Sequence, residues 1–125
     1  MKRLFTVLCA MAFAFSGASA SAQDGPVVRT SLGQVRGVQR DDGTVAFRGM
    51  PFAAPPVGTL RWRPPQPATR WRGVRAGAEP GAACAQNSYG WNEADARRSS
   101  EDCLYLDVRT PRLGAWARLP VMVWI

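Results

Sequence analysis

The run Val121-Met122-Val123-Trp124-Ile125 constrains this chain more than any motif within it. It is continuously apolar, rich in β-branched and aromatic side chains, and preceded by Pro120. Such a run predicts a strand buried on both faces, the pattern of a parallel sheet rather than a half-solvated antiparallel one. Parallel neighbours are reached through crossover connections of a dozen or more residues. None follows Ile125 in this sequence. The expectation is therefore the front part of a larger, truncated α/β domain.

The first 22 residues are expected to stand outside that domain. Lys2 and Arg3 precede an apolar stretch, 4–15, too short to span a bilayer. Small residues then run from Ser16 to Ala22, and Ala20-x-Ala22 predicts cleavage after Ala22, with Ala18-x-Ala20 as the second choice. A short membrane anchor is the competing reading. Cys9 lies too deep in the apolar stretch for lipid attachment. The sequence thus predicts a signal peptide over 1–22, a folded portion over 23–125, and a secreted or periplasmic product without a stable membrane anchor.

Export decides how the cysteines are read. Cys9 leaves with the signal, so Cys84 and Cys103 remain as a pair in an oxidising compartment, which favours a disulfide. The closed loop of about 20 residues would contribute roughly 3 kcal/mol if unstrained. Metal binding is the rival reading, but two cysteines without any histidine make a poor zinc site. No metal and no cofactor is expected.

The formal charge of +7 falls to +5 when Lys2 and Arg3 are removed, and every remaining base is arginine. That bias points to a GC-rich bacterial gene. Between Asp42 and Glu79 lie Arg48, Arg61, Arg63, Arg70, Arg72 and Arg75 with no acid among them, and Trp62 and Trp71 are interleaved. The pattern superficially matches a nucleic-acid platform. Export, and arginines scattered through prolines with no helix to align them, argue against nucleic acid as a partner.

Two strands, 27–30 and 34–39, are predicted around a turn at Ser31-Leu32-Gly33. Asp41-Asp42-Gly43 predicts a second turn leading to a strand at 45–48, so the start reads as a small antiparallel meander. Six of the ten prolines fall between Pro51 and Pro67. Backbone without amide donors is expected to lie extended over a surface, pinned by Phe52, Trp62 and Trp71. Residues 92–100 predict one or two helical turns, with Asn92 as cap and Asp95 at the reciprocal position. Residues 104–109 alternate, with Leu104, Leu106 and Val108 on one side. No internal repeat and no phosphate-cradling glycine loop is present.

Several motifs then become specific. Phe47-Arg48-Gly49-Met50-Pro51-Phe52-Ala53-Ala54-Pro55-Pro56-Val57-Gly58 resembles the N-terminal segment of type-B carboxylesterases, the α/β-hydrolase family that includes cholinesterases. Leu60-Arg61-Trp62-Arg63-Pro64-Pro65, Trp71-Arg72-Gly73-Val74 and Cys84-Ala85-Gln86 follow in the family's order. Ser100-Glu101-Asp102-Cys103-Leu104-Tyr105-Leu106-Asp107-Val108 is close to its second signature, and 119–125 resembles the strand before its oxyanion loop. Met50, Phe52 and Arg109 depart from the usual residues, and the charge of Arg109 is expected to face solvent.

The resemblance implies an N-terminal part of an α/β-hydrolase fold, antiparallel starting strands leading into a central mixed sheet. It implies a Cys84–Cys103 disulfide closing a loop over the active-site gorge. It also implies an ion pair between Arg61 and Glu101 bracing that loop, costly to break if partly buried. Trp91 falls near the place where cholinesterases present a tryptophan to a cationic substrate, a sensible cation–π contact. The competing reading is a tryptophan that packs its own loop. The implied parent is a serine hydrolase acting on small-molecule carboxylic esters through an acyl-enzyme.

This stretch itself is expected to carry no catalytic residue. The family's mechanism needs a serine on a sharp turn, a histidine base, an orienting acid and a glycine-rich oxyanion loop. The sequence has no histidine, and none of its serines lies in Gly-x-Ser-x-Gly. A catalytically inactive, cholinesterase-like adhesion protein sharing this front end is the alternative. The signal reading makes a direct prediction: N-terminal sequencing of the exported product should start at Gln23, or at Ser21 for the second site. An exported product retaining Met1 would refute it.

Overall fold

The computed structural model describes residues 25–125; the expected signal peptide lies outside the described residues. Six strands form two three-stranded sheets. In chain order they are β1 (Val27–Arg29), β2 (Gln34–Arg36), β3 (Val38–Gln39), β4 (Val45–Pro51), β5 (Val74–Ala76) and β6 (Tyr105–Thr110). Among the described residues, a single 3₁₀ turn, Gly58–Leu60, and one short helix, α1 (Glu93–Arg97), accompany the strands.

The first sheet has the order β1-β2-β5, with β1 antiparallel and β5 parallel to β2. The second has the order β3-β4-β6 and is antiparallel throughout. The expected meander is thus corrected in two ways. The stretch 34–39 is not one strand but two, β2 and β3, assigned to different sheets. The break falls at Gly37, and the reason is packing. A Cβ there would lie 2.7 Å from both the Phe47 ring and Val45 Cγ1, so only a bare backbone passes close enough to the core to change sheets. The second correction is β5, which the sequence reading did not assign as a strand; the parallel partner of β2 comes from its three residues.

Tight turns link the antiparallel pairs where expected. Thr30 and Gly33 close the first turn through a backbone bond of 2.8 Å, and the Thr30 hydroxyl accepts from the Leu32 and Gly33 amides. In the second, the Asp42 carboxylate accepts from the Thr44 amide at 3.1 Å, and Gly43 takes the positive φ of 79°. That is the local chemistry which makes Asp-Gly a turn signal.

The core is small. Val35, Val45 and Phe47 are buried together, with Val28, Met50 and Trp71 packed against them. β4 passes through it with Val45, Ala46 and Phe47 consecutively buried. It runs three residues beyond its expected end because a bulge at 48–49 lets it continue pairing with β6, from Val45↔Thr110 to Pro51↔Tyr105. Gly49 carries this bulge at φ 60°. Its amide donates to Asp107 Oδ1 at 2.9 Å. Gly77, just after β5, stitches the sheets together: its amide donates to Arg36 O at 2.8 Å, and its carbonyl accepts from the Arg48 amide at 3.0 Å.

The proline-rich segment lies largely exposed, but its aromatics do not all pin it. Trp71 does, donating through Nε1 to Gln34 O at 2.7 Å and packing on the core. Phe52 is half exposed, and Trp62 is 90% exposed with the Arg61 guanidinium 5.5 Å from its ring centre. The difference follows from position: Trp71 lies three residues before β5, whereas Trp62 follows the 3₁₀ turn.

Residues 121–125 are not in a strand. All five are exposed, between 74% and 113%, and no described strand pairs with them. Strand propensity supplies an extended preference but no ladder; that requires a hydrogen-bonding neighbour. Among the described residues, no helix is long and apolar enough to cross a membrane.

The turn glycine Gly43 and the bulge glycine Gly49 give a stability prediction. Gly43→Ala meets open space and should cost only the left-handed backbone penalty, about 1–2 kcal/mol. Gly49→Ala adds a Cβ 2.7 Å from the Glu79 carbonyl oxygen, backbone that cannot swing aside, so its cost should be clearly larger. Urea unfolding of both variants checks the order. Equal costs would show that the 79–81 segment yields freely.

Candidate functional site

Residues 84–103 form a closed loop whose base is fastened twice. The Cys84 and Cys103 sulfurs are bonded, with Cα atoms 4.9 Å apart. Beside them, Cys84 and Ser100 form a parallel bridge, and the Ser100 amide donates to Ala83 O at 2.9 Å. One step further on, the loop is tied to the residue after β4, where the Phe52 amide donates to Leu104 O at 3.1 Å.

Within the loop, the organising residue is Asn92, the sole buried polar residue described. Its Nδ2 donates to Gln86 Oε1 and to Asn87 O, both at 2.9 Å, and its Oδ1 accepts from the Tyr89 amide at 2.7 Å. This corrects the expected capping role. Asn92 occupies the N-cap position of α1, yet its side chain makes no capping bond, because the amide is fully engaged with the preceding turn. Asp95 likewise does not reach back; it pairs with Arg98 at 3.7 Å. α1 itself is a five-residue helix with no buried residue, carrying an Arg97–Glu93 pair at 2.7 Å.

Trp91 is 85% exposed. At that exposure it does not pack against its own loop, where Asn92 is the buried side chain. Of the expected residues, then, Cys84, Cys103, Arg61 and Glu101 are brought to one end of the loop, and Trp91 projects from its outer part.

The brace is present in geometry and weak in energy. Arg61 Nη2 lies 3.2 Å from Glu101 Oε1, with the two side chains 54% and 48% exposed. The resemblance implies a large cost only if the pair is partly buried; at that exposure water screens the attraction, and about 0–1 kcal/mol is the appropriate scale. Arg109 points to solvent as expected, but it is not idle. It pairs with Asp42, and its Nε donates to Thr44 Oγ1 at 2.9 Å, so it clamps the Asp-Gly turn to β6.

The sequence reading missed a polar cleft of ≈ 410 Å³ behind the loop base, lined by Gly49, Arg75, Glu79, Ser100, Asp102 and Tyr105 among others. Arg75 is held there from two sides. Its Nη2 donates to Gly49 O at 3.1 Å, and its guanidinium lies 5.7 Å from the Trp71 ring centre. Burial pushes the Tyr105 phenol above its ordinary value, reinforced by the hydrogen bond to Asp102 and by that carboxylate's charge; Arg75 pulls the other way. Only the flanking glycines hinted at this cleft: Gly81 lies so close to the Tyr105 ring that a Cβ would sit 2.4 Å from it. The cleft offers a phenol, carboxylates and a guanidinium, but no histidine exists in the sequence to serve as base.

With this geometry in place, the comparisons are direct. Residues 24–125 match the carboxylesterase family, and the chain belongs to it. A fumonisin B1 esterase from Sphingopyxis macrogoltabida is 44% identical over 108 residues, 86% of this chain and 20% of that protein. Acetylcholinesterase from Gallus gallus is 43% identical over 121 residues, covering 84% of this chain and 15% of that one. In three dimensions, a carboxylesterase from Geobacillus stearothermophilus superposes with a TM-score of 0.58 at 36% identity, over 68% of this chain and 16% of the other. The two sheets accordingly belong to an α/β-hydrolase fold. The chain spans about a fifth of the length of the relatives it matches.

Two predictions follow from the loop and cleft. Arg61→Ala and Glu101→Ala should each lower stability by no more than about 1 kcal/mol, with a double-mutant coupling of roughly 0.2–1 kcal/mol. A coupling above about 2 kcal/mol would mean the pair is desolvated. For Tyr105, the folded state holds its proton more tightly than the unfolded chain, whose phenol titrates near 10.0. Its contribution is therefore complete below that pH and is lost as pH rises through the higher folded value. Tyr105→Phe should flatten the alkaline fall in stability, measured by urea unfolding from pH 8 to 11. An unchanged alkaline slope would exclude Tyr105 as its source.

Proposed function

We propose that this chain is the N-terminal part of an exported carboxylic ester hydrolase, supplying scaffold and the disulfide-closed loop rather than catalytic groups. The observation that carries the reading is the joint placement of Cys84–Cys103 and Arg61–Glu101 at one loop base, in a chain of the carboxylesterase family. A loop fastened at its base and free at its outer part can border a substrate passage while its anchorage stays fixed. Relatives named for fumonisin B1, cocaine and acylcarnitine differ widely in the alcohol and acyl groups those names imply. What their names share is ester or acyl hydrolysis, so a small-molecule carboxylic ester is the substrate class we assign to the whole protein.

The chemistry divides accordingly. An acyl-enzyme mechanism requires an activated serine and donors for the developing oxyanion. This stretch has no histidine and no Gly-x-Ser-x-Gly serine, so those groups must come from elsewhere in the whole protein. To Trp91, which is exposed on the loop, we assign the role of an aromatic surface offered to substrate. Export through a signal peptide over 1–22, cleaved after Ala22, completes the reading and agrees with a disulfide-bonded domain.

The test is hydrolysis of a short-chain nitrophenyl ester. The chain of residues 23–125, purified to homogeneity, should show no turnover above background. The same stretch translated together with its downstream coding sequence should turn the ester over, and Trp91→Ala in that protein should change KM more than kcat. Turnover by the short chain alone, or an inert longer protein, would overturn the assignment; the latter would favour a binding role.

A further inference from the structure

The arginine-rich stretch between Asp42 and Glu79 is not one surface. The fold gives half of those side chains definite partners. Arg48 lies 3.9 Å from Asp107, Arg61 pairs with Glu101, and Arg75 is bonded to Gly49 O and stacked near Trp71. Arg70 has a different setting. Together with Arg29, from the end of β1, it lines a second cleft of ≈ 320 Å³, bounded by the turn 30–33 and the segment 70–73.

No acidic residue lines that cleft. Among the described residues, Arg29 and Arg70 have no ion-pair partner, which is also true of Arg36, Arg40, Arg63, Arg72, Arg112 and Arg118; what sets these two apart is that they line one cleft. Two like charges lining one concavity repel, and a concave wall focuses their field, so the place favours a counter-anion. The walls are held in position rather than loose. The Trp71 amide donates to Leu32 O at 3.0 Å and its Nε1 to Gln34 O at 2.7 Å, joining the two segments that carry the arginines. The Thr30 hydroxyl is spent inside its own turn, and the Trp71 N–H is spent on β2, leaving the guanidinium groups as the charged donors.

We propose that this cleft binds a tetrahedral oxyanion, phosphate or sulfate, between Arg29 and Arg70. Guanidinium forks match such anions bidentately, which a spherical halide cannot exploit. The site is separate from the loop and cleft discussed above, and it does not depend on the esterase reading.

Calorimetric titration of the full chain with sodium phosphate and with sodium sulfate, at ionic strength held constant with chloride, tests it. One saturable site per chain is expected. Arg29→Gln and Arg70→Gln should each weaken phosphate binding by about tenfold, the loss of one charge-assisted contact. Arg112→Gln, an exposed arginine outside the cleft, removes the same charge and should change affinity less than about twofold. Phosphate should also raise the thermal midpoint of the unaltered chain and not that of the Arg29→Gln/Arg70→Gln variant. Should the Gln variants fail to fold, Arg29→Lys keeps the charge and must retain measurable phosphate binding. No saturable binding, equal weakening by Arg112→Gln, or total loss in a folded Arg29→Lys would each overturn the proposal.

Discussion

The antiparallel ladder between β4 and β6 is the interaction on which the rest of this structure hangs. It runs from Val45↔Thr110 to Pro51↔Tyr105 and brings together residues about sixty positions apart in sequence. On one side it buries Val45 and Phe47 in the small core. At its far end it delivers Cys103, Leu104 and Tyr105 beside the segment that follows β4. The disulfide, the loop base and the Tyr105 cleft are all set by that delivery. Without the ladder, Cys84 and Cys103 would still be close in sequence, but nothing would orient their loop against Arg61.

Glycines at two positions let the ladder and the first sheet coexist. Gly37 lets the chain leave β2 directly over the Phe47 ring, and Gly49 absorbs the bulge without breaking the pairing beyond it. Gly77 then fastens β2 to β4 through one amide and one carbonyl. The result is two small sheets sharing one cluster of apolar side chains. This is an economical core for so much irregular chain, and covalent closure of the loop offsets part of what hydrophobic burial does not supply.

The loop shows how polar interactions divide labour. Asn92, buried with three hydrogen bonds, shapes the loop from within, since an unsatisfied amide there would be costly. Arg61–Glu101 and the helix pairs lie on the outside, where water weakens them. The loop is fastened at its base, and Trp91 lies exposed on its outer part.

Much of this was legible in the sequence because the signals were local. Asp-Gly at 42–43 specifies a turn by its own backbone preferences, alternation at 104–109 marks a strand, and ordered motifs from Phe47 to Val108 identify the family. Other features belong to tertiary structure alone. Gly37 as a switch between sheets depends on Phe47 arriving from ten residues on, and β5 exists because Gln34 to Arg36 offers it a parallel edge. Asn92 carries a helix-cap signature, yet it turns inward, because the Tyr89 amide takes its Oδ1 while its Nδ2 donates to Gln86 and Asn87. Trp62 and Trp71 look alike in the sequence, but only Trp71 reaches the core. Propensity and turn chemistry act over a few residues, so the chain itself determined its turns, some of its strand-forming segments and its family. Sheet membership, side-chain burial and the strength of each ion pair depend on what distant segments bring alongside, and those only the fold decided.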